Sequence, residues 1–269
     1  MKKDYTAYGI SKLSIFCCML TVIVATLSSN LLTLNYHEKV SKVISYGMDG
    51  LIVWAPSRFL NLGVLPIVLV IYIMAYYENH TRNISVVRHA DRKQMWVSER
   101  IIALLICMIS YVFVMLVSFI MAMIINKGQF APDSSDTFYL TNTYLGAAML
   151  KYNGGIPRNV NLFQAVLSVY VINVLELYLM LSISNLIYWV SGNKLVAISV
   201  IIVAGFLIGI YPKTNRYFGW LGVKTAKADY YHEAMYIGKT LTVVLVLAAV
   251  NILIGIMARI AIRRKDFIR

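Results

Sequence analysis

Six apolar runs, each near or above the length needed to cross a bilayer, take up most of this 269-residue chain. They leave it few ways to fold. In lipid no water is at hand for backbone N–H and C=O groups, so each must be paired within its own segment or within a closed sheet. Apolar runs of roughly 17–25 residues therefore become helices. Here they fall at residues 13–34, 60–76, 101–125, 163–190, 195–211 and 241–262. Transmembrane barrel strands alternate apolar and polar residues, and these runs do not. The expected fold is all-α, a polytopic membrane protein with six transmembrane helices in one domain over residues 1–269. The first run is longer than a signal-peptide core and lacks a small-x-small cleavage site, so it reads as a resident helix.

A net charge of +13 first suggests nucleic acid. Its distribution points instead to membrane topology, with no nucleic-acid partner. Lys2, Lys3, Lys12, Arg82, Arg88, Arg92, Lys93, Arg100, Lys194, Arg259, Arg263, Arg264, Lys265 and Arg269 are 14 of the 25 Lys and Arg residues, and all belong to segments on one side of the membrane. Those segments have roughly half the length of the opposite ones. Positive residues mark the inner side. Both termini are thus expected in the cytoplasm and the chain in the plasma membrane of a bacterial cell. The three cysteines, Cys17, Cys18 and Cys107, all fall inside expected helices. An odd number at lipid depth is not a disulfide framework, and they read as small packing residues.

The connections differ in character. Residues 40–54, in the first outer loop, have apolar residues near helical spacing, which predicts an interfacial helix. The second outer loop, 126–162, contains Pro132, Gly154, Gly155 and Pro157 and reads as irregular and exposed. Ser191, Gly192, Asn193 and Lys194 form a tight inner turn between the fourth and fifth helices. The third outer loop, 212–240, is basic and rich in rings (Tyr217, Phe218, Trp220, Tyr230, Tyr231, Tyr236). Such rings suit the headgroup layer and predict a short interfacial or re-entrant segment before the last helix.

The inner loop 77–100 carries the densest charge. Over about residues 86–97 a helix would group Val87, Ala90, Gln94 and Val97. A charged stripe would run through Arg88, Asp91 and Arg92, with Trp96 at headgroup level. Two readings stand: a basic loop anchored on anionic lipid, or a docking helix for a cytoplasmic partner.

At this point the chain resembles a known family, the six-helix membrane subunits of ABC exporters of the ABC-2 type. In that family the second helix ends in Glu followed by Gly-Thr. An interfacial coupling helix with Arg and Lys comes next, and a basic residue opens the third helix. This chain offers Glu78, His80-Thr81, the 88–96 segment, Ser98 and Arg100. It departs in having His80 where Gly is usual and Glu99 near a position where Lys is common. The order of parts follows the family over nearly the whole chain. The resemblance implies a membrane subunit that works as a dimer, with a second copy or a homologous chain. Arg88, His89, Asp91, Arg92, Lys93 and Trp96, and secondarily Ser191–Lys194, would dock separate cytoplasmic ATPase subunits. ATP and Mg would sit on those subunits and not on this chain. Consistently, the chain has no phosphate-binding Gly-x-x-x-x-Gly-Lys-Ser/Thr loop; Gly219-Trp220-Leu221-Gly222-Val223-Lys224-Thr225 has the wrong spacing. The family's cargoes include peptides, lipids, glycans and drugs. Short outer loops favour a hydrophobic or amphipathic peptide, lipid or drug.

Inside the runs, Glu176 stands out, with Asn173 about one turn before it. A charge at that depth is disfavoured by about 2.5–3.5 kcal/mol on insertion scales, so it faces a bundle interior or a wet cavity. It reads either as a cargo contact or gate, or as a protonated side chain hydrogen-bonded for packing. Asn185 and Asn251 read as helix–helix hydrogen-bonding residues. Gly205 and Gly209 have the Gly-x-x-x-Gly spacing, which serves either a dimer seam or close packing within one subunit. His37, His80, His89 and His232 make no metal site by spacing. No clustered nucleophile, base or carboxylate pair lies in the runs, so no catalytic residue is expected. An intramembrane enzyme is thereby disfavoured. A non-transporting immunity or sensor subunit would share the fold, and the sequence scarcely separates it from an exporter.

Overall fold

The computed structural model describes residues 12–40, 46–57, 59–86, 92–125, 161–205, 234 and 236–264. The described residues are helical throughout, apart from short turns, and contain no strand. Six long elements run in order: α1 (Lys12–Val40), α2 (Leu65–Val86), α3 (Arg92–Ile125), α4 (Leu162–Ser191), α5 (Lys194–Gly205) and α6 (Ile237–Arg264). Four segments are long and apolar enough to cross a membrane: Phe59–Tyr77, Trp96–Ile125, Phe163–Ser191 and Ile237–Ile262. Phe16–Leu32 and Lys194–Gly205 are shorter apolar helices. The last six residues of the fifth run, 206–211, and the outer loop 126–160 lie outside the described residues.

α4 is the central helix and packs against α2, α3, α5 and α6, while α1 leans on α3 and α2. Asn161 caps it, its Oδ1 accepting from Phe163 N at 3.1 Å and Gln164 N at 3.3 Å. At the other end Gly192 takes φ 71°, the left-handed conformation only glycine adopts freely, and its N–H reaches Tyr188 O at 2.8 Å. Asn193 then caps α5, its Oδ1 accepting from Leu195 N at 2.8 Å. The expected tight turn over Ser191–Lys194 is thus built from a C-cap followed directly by an N-cap.

The bundle is apolar outside, and its largely apolar interior also holds buried polar side chains. On α3, Ile101, Leu105, Val112, Leu116, Ile120 and Ile124 are exposed in one stripe, while Ser110 and Ser118 are buried on the opposite side. A protein in water would not expose such a stripe along a whole helix, whereas in lipid it is the solvated face. The architecture is that of a helical membrane protein.

Two expectations need correction. The separate surface helix over 86–97 is not what the described part shows. Residues 87–91 lie outside the described residues, and α3 begins at Arg92 and continues without a break to Ile125. Nothing in Arg92–Arg100 stops a helix: there is no Pro or Gly in that stretch.

The interfacial helix over 40–54 is also different. α1 runs on to Val40, and Gly47–Asp49 form a helical turn that continues as a π-helix, Gly50–Trp54. This segment is inside the bundle: Met48, Ile52 and Trp54 have no exposed surface. An interfacial helix needs a polar face to leave in water. The one polar side chain here, Asp49, turns back to accept from Tyr46 N at 2.9 Å. A second π-helix, Phe59–Val64, leads into α2. Pro66 at the start of α2 has no N–H to return to the turn before it, which fits a local shift to wider helical bonding there.

Candidate functional site

Polar side chains buried in the bundle form three levels along α3 and α4. The first lies where α1, the Gly47–Trp54 segment and α3 meet. Asn30 Nδ2 donates to Ser118 Oγ at 3.0 Å, and the Ser29 and Ser57 hydroxyls pair at 2.8 Å. The first bond ties α1 to α3, and the second ties α1 to Ser57, just after the Gly47–Trp54 segment.

The second level is midway. Asn61 Nδ2 donates to Asn173 Oδ1 at 2.7 Å, and Asn173 Nδ2 donates to Val169 O at 2.7 Å. The Tyr111 hydroxyl lies beside Asn61 and within electrostatic range of Glu176. Glu176 is 5% exposed, so both pathway residues expected from the sequence, Asn173 and Glu176, face the interior. Their neighbours Asn61 and Tyr111 come from the second π-helix and from α3. A wider π-turn places Asn61 where a regular helix would not. Asn61→Leu with Asn173→Leu should show a coupling of about 0.6–1.7 kcal/mol in a double-mutant cycle. Unfolding in mild detergent reads it, and strict additivity would mean the two amides do not act together.

The third level is at the basic end of the bundle, about 18 Å along α3 from Tyr111. Glu99 is fully buried. One carboxylate oxygen accepts from Trp189 Nε1 at 3.1 Å and Asn185 Nδ2 at 3.4 Å, both on α4. The other, Oε1, is buried without a hydrogen-bond partner among the described residues. Tyr77 OH, on α2, donates to the Glu99 carbonyl at 3.4 Å. Next to it in sequence, Arg100 points elsewhere. Its Nη1 donates to Ser182 Oγ at 2.6 Å, its Nη2 donates to Asn251 O at 3.0 Å, and its guanidinium lies 4.4 Å from the Tyr178 ring centroid. Consecutive helical residues are about 100° apart, so the pair reaches two different sets of neighbours. Glu99 holds α3 to α4 and α2, and Arg100 holds it to α4 and α6.

The expected docking residues are placed unevenly. Arg88, His89 and Asp91 lie outside the described residues, and Arg92 and Lys93 form the first turn of α3. Trp96 does not lie along the surface. Its Nε1 donates to Gly255 O of α6 at 3.1 Å, and its ring packs in the cluster of Trp189 and Ile262. Ser191, Gly192 and Asn193 are exposed. Asn185 and Asn251 make interhelical bonds as expected, Asn251 Nδ2 reaching Leu175 O at 3.1 Å. Gly205 meets backbone of the same chain: an added Cβ would lie 3.0 Å from Leu62 O and 3.1 Å from Gly63 O. Of the two uses open to Gly205, this is packing within one subunit; Gly209 lies outside the described residues.

Sequence reasoning did not assign Glu99, Trp189, Asn61 or Tyr111 to a site. A signal was present for Glu99: Ser98-Glu99-Arg100 runs straight into apolar residues with no loop between, which puts a carboxylate inside the span. All three cysteines are free thiols, Cys18 and Cys107 buried. Among the described residues no group of side chains could hold a metal ion. No family model, curated protein or solved structure matches this chain.

Proposed function

We propose that this chain is the membrane subunit of an ATP-driven exporter of the ABC-2 type, with both termini in the cytoplasm. It pairs with a second membrane subunit and docks separate ATPase chains, which carry ATP and Mg. The supporting observation is the continuity of α3. This helix starts at Arg92, directly after the 87–91 segment, and runs 34 residues to Ile125, about 50 Å. A push delivered at its first turn travels along one rigid rod past Glu99 and Arg100, past Tyr111 at the midway level, to Ser118. Glu99 and Arg100 bind that rod to α2, α4 and α6, so those helices move with it. The midway cluster of Asn61, Tyr111, Asn173 and Glu176 is the part of the interior suited to a polar group of an otherwise apolar cargo. A hydrophobic or amphipathic peptide, lipid or drug fits it best.

Purification of tagged protein in mild detergent, with ATPase activity read on the eluate, tests the reading. An ATP-hydrolysing chain should copurify. Arg88→Glu with Arg92→Glu should cut its recovery at least about tenfold, because like charges set against a complementary docking surface cost several kcal/mol. The helical content of the variant should not change. A protein that elutes alone, with no ATPase, overturns the proposal.

A further inference from the structure

At the basic end, α3 and α6 meet along a face that carries two guanidinium groups and, among the described residues, no carboxylate paired with either. Trp96 and Arg100 contribute from α3, and Gly255 and Arg259 from α6. Trp96 Nε1 donates to Gly255 O at 3.1 Å, and the Arg259 guanidinium lies 5.7 Å from the Trp96 ring centroid. Gly255 leaves room for Arg100, whose Nη2 would be 3.2 Å from an added Cβ. Arg100 uses two of its donors, on Ser182 and on Asn251 O. Arg259 Nε is buried with no acceptor among the described residues. Among the described residues neither guanidinium has a carboxylate partner.

We propose that this α3–α6 face seats the phosphate of an anionic phospholipid, held by Arg259, with the Trp96 indole beside it. A buried guanidinium donor without an acceptor is a cost that a bound oxyanion removes. The guanidinium fork fits phosphate oxygens, two donors at a time. Depth selects the source. Trp96 opens the span Trp96–Ile125, and Arg259 lies three residues inside the end of the span Ile237–Ile262. The Arg259 guanidinium is therefore at headgroup level, where long cationic side chains snorkel and where the abundant anion is lipid phosphate, whereas Arg100 reaches deeper, to Ser182 and Asn251. On the same two helices, Val97 and Ile101 of α3 and Ile256 and Ile260 of α6 are exposed. They offer acyl chains an apolar bed that a free phosphate ion cannot use. The inference is independent of any exporter role.

The test uses delipidated full-length protein in detergent, with phosphatidylglycerol, phosphatidylcholine or inorganic phosphate added. Retained lipid is counted by native mass spectrometry, and the melting temperature is followed in parallel. Retention of phosphatidylglycerol should exceed that of phosphatidylcholine about tenfold, and Arg259→Gln should bring the ratio down to about twofold. Arg259→Lys keeps the charge without the fork and should give a ratio between the two. Equal retention of the two lipids by the unaltered protein overturns the proposal without recourse to any variant. An undiminished preference in Arg259→Gln also overturns it, since the lipid then binds elsewhere. A melting shift with inorganic phosphate equal to that with phosphatidylglycerol overturns it in favour of a free-anion site.

Discussion

Gly50→Val is expected to lower the unfolding free energy by about 3 kcal/mol and to loosen the Gly47–Trp54 segment from the bundle. Gly50 has φ −57°, an ordinary helical value, so its backbone does not need glycine. What needs glycine is the neighbour. An added Cβ would fall on the carbonyl oxygen of Ser118 and lie 2.9 Å from the Ala122 Cβ. Ser118 and Ala122 are one turn apart on α3, so the obstruction is helix backbone, which cannot rotate away as a side chain can. The segment would have to back off. The Trp54 indole, now fully buried, would then gain exposure, and its fluorescence would shift to the red. Gly63 is the matched control: nothing lies within 4 Å of the Cβ it would gain, so Gly63→Ala should change stability by less than about 0.5 kcal/mol. The check is detergent unfolding followed by tryptophan fluorescence for both variants. Equal, small effects would mean that the segment is not held against α3 as described.

This buried segment also shows where the amino-acid sequence stops being legible. Four of the six apolar runs are read directly, because in lipid their length alone decides the matter, while the first and fifth appear as shorter apolar helices among the described residues. The fourth, 163–190, matches a helix that ends one residue later, at Ser191. The tight turn after it follows from Gly192 and Asn193, two residues whose local chemistry is nearly sufficient. Residues 46–64 are different. Apolar residues near helical spacing say that a helix forms and say nothing of where it goes. Lying on the membrane and folding back into the bundle have the same periodicity. Choosing between them requires the Gly50–Ser118 contact, which joins residues 68 positions apart.

The site divides in the same way. Asn173 and Glu176 were legible as interior residues because a polar group in an apolar run has few other places to go. Asn61 was not, since it sits at the edge of a run where either orientation is acceptable until the π-helix is known. Glu99 was read as a departure from a family pattern because charge near a helix end suggests water, and only the packing of α2 and α4 over it removes that water. Trp96 is legible as a residue at the end of a span, while the bond from its indole N–H to the α6 backbone is not.

The second large effect is expected at Glu99. Glu99→Ala should destabilise the protein by about 2–4 kcal/mol, while Glu99→Gln should stay within about 1 kcal/mol. The alanine leaves the buried Trp189 Nε1 and Asn185 Nδ2 without their acceptor, and it opens a cavity among Tyr77, Asn185 and Trp189. The glutamine keeps an oxygen for those two donors and preserves the volume. It also replaces the unpartnered Oε1 with an amide that donates, and Asn185 Oδ1 is a buried acceptor still without a donor among the described residues. Function then separates the roles. In a packing role, Glu99→Gln behaves as the unaltered protein in both stability and ATPase copurification. If Glu99→Gln folds normally but loses the activity of the assembled complex, the carboxylate is needed for more than holding α3 to α4, and the third level of the polar interior becomes part of the working pathway. Equal destabilisation by alanine and glutamine would refute the hydrogen-bond account, because only the loss of the acceptor distinguishes the two at that oxygen.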